Sequence, residues 1–237
     1  MENDLPSGTI LEAIFKGSNF MFYHPATLGT TSKKPWLLVC LHSDKLDYEA
    51  LFNKCHKLAK EKGLAVLAPY FDPIQFPNYH QMDYRSLDQA RSDKFLWDLI
   101  AHVASKADIQ TKKAYFYGEG HGGELLLNLS ILKPERIARA VSVTNNVPIV
   151  SSQYLFPKGF AESPFFPTYK ASYSSFYGID IGVICSTKSR RAKRFFENLE
   201  KLAYNEGLTF SPKRITLDET PQSGRYLEAA ATYLFPE

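Results

Sequence analysis

A chain of 237 residues with 44% hydrophobic and 14% aromatic side chains is long enough to bury a sizeable core, and a single domain over residues 1–237 is the expectation at this length. Its 28 basic and 25 acidic residues leave a formal net charge of +3, too mild and too evenly mixed to mark a nucleic-acid surface. Three cysteines, Cys40, Cys55 and Cys185, have no metal-ligand spacing and are odd in number, which argues against a disulfide framework.

The opening "MENDLPSGTI" has no basic n-region and no apolar h-region, and no run elsewhere reaches the ~18 apolar residues of a membrane span. The expectation is a soluble chain, cytoplasmic or exported with its signal peptide absent from this sequence. Two short β-prone runs, "TILEAIF" and "NFMFYH", flank Gly17 and Ser18 and predict a hairpin. Trp36–Leu41, "WLLVCL", has no polar alternation, the pattern of a strand covered on both faces of a parallel sheet. A helix is predicted over 47–62, with Leu51, Phe52, Cys55, Leu58 and Ala59 on one face and Gly63 as its stop; "LAVLA" is the next strand.

After an irregular, Pro- and aromatic-rich loop, 71–84, Phe95, Leu96, Leu99, Ile100 and Val103 recur at helical spacing in a helix predicted over 88–105. The stretch 114–130, "AYFYGEGHGGELLLNLS", reads as strand, glycine-rich turn and helix. Further strands are predicted at 138–144, 179–186 and "KRITL", with helices near 190–206 and 225–234. Strands alternating with helices from residue 36 onward predict the α/β class, a mostly parallel sheet with helices on both faces behind the N-terminal hairpin. Such sheets bind ligands at the carboxyl ends of their strands. The segment 148–178 holds nine aromatic residues between prolines and serines, including Tyr154, Phe165 and Tyr173; it reads either as an aromatic-rich lid or as an irregular insertion packed on the core.

The "G-E-G-H-G" turn between a strand and a helix resembles the nucleophile elbow, G-x-S-x-G, of the α/β-hydrolase superfamily. "PWLLVCLHS" is similar to the strand and oxyanion loop of that superfamily, and "EKGLAVLAPYF" and "KPERIARAVSVT" resemble segments of its feruloyl esterases and polyhydroxybutyrate depolymerases. The resemblance covers about Thr9 to Leu234. It places Gly118 and Gly122 on the two small positions of the motif, Gly120 on the nucleophile and His121 on the residue whose backbone N–H meets the oxyanion.

A glycine cannot attack a carbonyl, and the rest of the triad is missing from its expected places. The acid is expected after the strand ending near Cys185, where the sequence reads "CSTKSRRAKR" without a carboxylate. The histidine is expected after "KRITL", but the six histidines are His24, His42, His56, His80, His102 and His121. The resemblance therefore implies an esterase-like scaffold whose Ser–acid–His triad is lost, a non-catalytic homologue that binds a small-molecule or protein ligand.

Polar residues predicted near the carboxyl edge, His42, Ser43, His80, Glu119 and His121, are the candidate binding residues. The competing reading is an active esterase-type hydrolase with a relocated site, Ser43 acting with His121 or His42 as base, or with a metal held by His42, His80, His121 and Glu119. No metal or cofactor is the expectation, because these residues lack local ligand spacing. The basic run Lys188, Arg190, Arg191, Lys193 and Arg194 reads as an anion-binding patch or as a solvated helix face.

Overall fold

The computed structural model describes residues 7–26, 34–43, 48–81, 91–143, 180–186, 197, 213–217 and 223–236. The aromatic segment 148–178, the basic run 188–194 and the helix predicted over 190–206 lie outside the described residues, apart from position 197, which is helical.

Among the described residues, eight strands form one sheet: β1 Ile10–Phe15, β2 Ser18–Tyr23, β3 Trp36–Leu41, β4 Ala65–Pro69, β5 Gln110–Glu119, β6 Ile137–Val143, β7 Asp180–Ser186 and β8 Lys213–Leu217. Their order is β1-β2-β4-β3-β5-β6-β7-β8. β1 and β2 pair antiparallel, as do β2 and β4; every other neighbour pair is parallel. Helices α1 (Tyr48–Lys62), α2 (Ser92–Lys106), α3 (His121–Leu132) and α4 (Ser223–Leu234) complete the described elements, with short 3-10 turns at Tyr79–Gln81 and Pro134–Arg136.

The first hairpin turns one residue earlier than the sequence predicts. Lys16 (φ 49) and Gly17 (φ 84) form its tip, and Ser18 already pairs with Phe15. A two-residue loop whose central residues both have positive φ matches the twist of the flanking strands, and glycine meets that demand without a Cβ clash.

Strand parity divides the core into two layers. Leu37, Val39, Leu41 and Phe116 join Phe95, Leu96, Leu99, Ile100 and Val103 of α2 and Leu125–Leu127 of α3 on one face of the sheet. Leu38, Cys40, Val66 and Tyr117 join Leu51, Phe52, Cys55 and Ala59 of α1 and Leu227, Ala230 and Leu234 of α4 on the other. A central strand pressed by helices on both sides has no solvent face, which is why β3 and β4 read as unbroken apolar runs. Truncating such a residue, as in Leu99→Ala, is expected to cost about 2–5 kcal/mol.

β5 begins at Gln110, four positions before the predicted start, because exposed Lys112 and Lys113 interrupt the apolar pattern while their backbone still belongs to the strand. No helix among the described residues is long and apolar enough to cross a membrane.

Candidate functional site

The carboxyl ends of the central strands β3 and β5 lie side by side, with Leu41 of one paired to Gly118 of the other. Beyond them the chain runs through His42 and Ser43 on one side and turns at Gly120 into α3 on the other. This turn is packed to backbone contact. A Cβ on Gly118 would lie 2.4 Å from the Gly122 carbonyl oxygen, and a Cβ on Gly122 would lie 2.1 Å from that of Leu41. Both small positions of the elbow motif are therefore demanded by the close approach of α3 to the ends of β3 and β5.

Gly120 stands at the apex with φ 55 and ψ −121, a backbone state that costs an L-residue about 1–3 kcal/mol. Its N–H donates to the Val143 carbonyl at 2.8 Å, and its carbonyl accepts the Glu124 N–H at 3.1 Å, which starts the helix. The volume a side chain here would enter is taken: a Cβ on Gly120 would lie 2.7 Å from the Ser43 Cβ and 3.5 Å from its Oγ.

His42 is buried and tied to backbone at both ring nitrogens. The Phe71 N–H donates to Nε2 at 3.1 Å, so Nε2 is an acceptor and Nδ1 carries the proton it gives to the Ser43 carbonyl at 2.8 Å. Tyr70 stacks on the ring at 5.6 Å, Phe71 and Tyr79 lie within 6 Å, and the Tyr79 hydroxyl donates to the His42 carbonyl. These contacts fix the β3–α1 connection at its start and engage the nitrogens that general-base chemistry would need.

His80 and His121 come together although 41 positions separate them. Their rings stack at 3.8 Å with 17° between planes. His80 Nε2 lies 3.6 Å from Glu124 Oε2, both side chains being buried, while His121 is half-buried. Asn128, one turn beyond Glu124, donates Nδ2 to the His80 carbonyl at 2.8 Å, and Ser92 Oγ donates to the Tyr79 carbonyl at 2.7 Å. The Tyr79–Gln81 turn is thus pinned between α3 and α2. Glu124 was not a sequence candidate; the signal for it was the spacing His121-x-x-Glu124, which puts both side chains on one helix face.

Glu119 does not join this cluster. It follows Tyr117 by two positions on β5 and so shares the sheet face covered by α1 and α4. The Tyr117 hydroxyl donates to Glu119 Oε1 at 2.7 Å. Burial pushes the Glu119 carboxyl up, against the downward pulls of the Tyr117 hydroxyl and of Lys54. Burial first, and the Glu119 charge second, raise Tyr117 and Tyr226 in turn. Of the predicted set, His80 and His121 are brought together, Ser43 fills the elbow apex, His42 braces the loop, and Glu119 faces the other way.

A mixed, mostly parallel sheet with a strand–elbow–helix at its centre defines the α/β-hydrolase fold, and the structural neighbours of this chain are α/β-hydrolases. Poly(aspartic acid) hydrolase-1 from Sphingomonas sp. KT-1 is similar at 17% identity and a TM-score of 0.71, over 97% of this chain and 99% of that one. The poly(3-hydroxybutyrate) depolymerase LpqC from Bordetella parapertussis is similar at 14% identity and a TM-score of 0.68, over 96% and 90%. S-formylglutathione hydrolase from Staphylococcus aureus is similar at 15% identity and a TM-score of 0.67, over 95% and 97%. No family model matches the chain, and no curated protein matches it.

Proposed function

We propose that this α/β-hydrolase-fold protein is a binding protein that lacks Ser–acid–His hydrolysis at its elbow and receives a small molecule or a protein segment at the carboxyl edge of its sheet. The observation that carries the reading is Gly120 at the apex with Ser43 backed against it, where a nucleophilic side chain would stand. Two sequence facts agree with it. The connection from β8 to α4, "DETPQ", holds no histidine, and "TKSRRAKR" after β7 holds no carboxylate. Hydrolases stripped of triad members keep only ~10³–10⁴ of rate over water, from the oxyanion hole and binding.

One observation favours a second reading, an esterase-type hydrolase with a relocated nucleophile: Ser43 Oγ would lie 3.5 Å from a Cβ on Gly120, and the structural neighbours carry the names of hydrolases. In that case His121 would serve as base, since both nitrogens of His42 are engaged. Turnover of a short aryl-ester panel separates the two. The binding reading predicts rates no better than buffer for the unmodified protein and no change in Ser43→Ala. Saturable turnover that Ser43→Ala abolishes would overturn it.

A further inference from the structure

Among the described residues, the elbow helix and the Tyr79–Gln81 turn bring two imidazoles and a carboxylate to one point. His80, His121 and Glu124 each offer a ligand atom, and these atoms all lie within 4.8 Å of one another. We propose that the three residues form a site for one divalent borderline metal ion of the zinc class, at the strand ends where this fold presents ligands.

The donor set is two nitrogens and one oxygen, which suits Zn²⁺ and similar first-row ions and is poor for Ca²⁺ or Mg²⁺. Metal–ligand bonds of roughly 2.0–2.2 Å put neighbouring donors of a tetrahedral site roughly 3.3 Å apart. The His80 Nε2 to Glu124 Oε2 edge, at 3.6 Å, is already close to that. His121 is the movable ligand. Stacked rings direct their lone pairs side by side, so seating one ion requires the half-buried His121 to turn about its side-chain bonds, while buried His80 and Glu124 stay in place.

The surroundings hold the two buried ligands. Asn128 fixes the His80 backbone from the same face of α3 that carries Glu124, and Ser92 fixes the preceding carbonyl. Such outer contacts orient ligands and limit the entropy lost on binding. Three protein ligands leave the ion's remaining position open to water or to an anionic oxygen of a bound molecule. The site uses neither Gly120 nor Ser43 but shares His121 with the relocated-hydrolase reading, and its test is metal binding rather than ester turnover.

The test is calorimetry with Zn²⁺ on the metal-stripped full chain, paired with visible absorption on titration with Co²⁺. The expected result is one ion per chain, with d–d bands of low-symmetry nitrogen and oxygen coordination and a rise in melting temperature. His80→Ala, His121→Ala and Glu124→Gln should each weaken binding at least tenfold, and His56→Ala, outside the cluster, should leave it unchanged. His121→Ala touches the half-buried ligand and Glu124→Gln preserves shape, so both variants report on folded protein, checked by their cooperative melting. Absence of stoichiometric binding to the unmodified chain, or binding retained in both Glu124→Gln and His121→Ala, would overturn the proposal.

Discussion

Ser43 and Gly120 occupy a single nucleophile's worth of space: a Cβ built on Gly120 comes within 2.7 Å of the Ser43 Cβ. Contact that short does not occur between real side chains, and a Cβ so near its own backbone has no rotamer by which to withdraw. Gly120→Ser is therefore expected to lose about 1–3 kcal/mol from overpacking, in addition to the strain of φ 55. Combining it with Ser43→Gly should return part of that loss, a coupling that denaturant titration of the four-member cycle measures directly. Gly120→Ser alone should also fail to hydrolyse aryl esters at enzyme-like rates, since "TKSRRAKR" after β7 holds no carboxylate and "DETPQ" after β8 holds no histidine to serve it.

Replacing Gly122 is expected to be worse. Its Cβ would lie 2.1 Å from the Leu41 carbonyl oxygen and 2.7 Å from that of His42, both backbone atoms. Gly122→Ala should cost about 3 kcal/mol or more and separate α3 from the end of β3. Gly63→Ala, where nothing lies within 4 Å, should pay only for its positive φ. Thermal melts of the two variants side by side check the ordering.

His42→Ala tests the bracing role of that ring. It removes the acceptor for the buried Phe71 N–H and the donor to the Ser43 carbonyl. An unsatisfied buried amide costs about 1–3 kcal/mol, and that is the expected loss of stability. Protection of the Phe71 amide from hydrogen exchange should fall with it.

Glu119 gives the fold a pH dependence of defined sign. Burial raises its carboxyl above the ordinary value of 4.5, so the folded chain holds this proton more tightly than the unfolded chain does. The associated stability is complete below 4.5 and is lost as pH rises through the raised folded value. Glu119→Gln keeps a neutral partner for the Tyr117 hydroxyl and removes the titration. Denaturation midpoints taken upward from pH 4 should fall for the unmodified chain relative to the variant, and parallel curves would show that Glu119 titrates alike in both states.

The sheet was legible in the sequence because burial on two faces writes itself as uninterrupted apolar runs at β3 and β4, and the helices because Leu51, Phe52, Cys55 and Ala59, or Phe95, Leu99 and Val103, recur with the helical period. The elbow was legible for a steric reason: Gly118 and Gly122 sit where only hydrogen fits. What the pattern hid was side-chain direction. Glu119 and His121 are two positions apart, yet the first ends a strand facing α1 and α4, whereas the second opens a helix and stacks on His80. His80 itself lies in an irregular loop without period, and tertiary contacts, among them the Asn128 and Ser92 anchors, hold its turn against α3.

If the elbow carries no working nucleophile, treating the unmodified protein with a fluorophosphonate leaves no adduct in its intact mass. The expected result is an unchanged mass while a working serine hydrolase in the same tube is fully labelled. A stoichiometric adduct that maps to Ser43 and disappears in Ser43→Ala would contradict it.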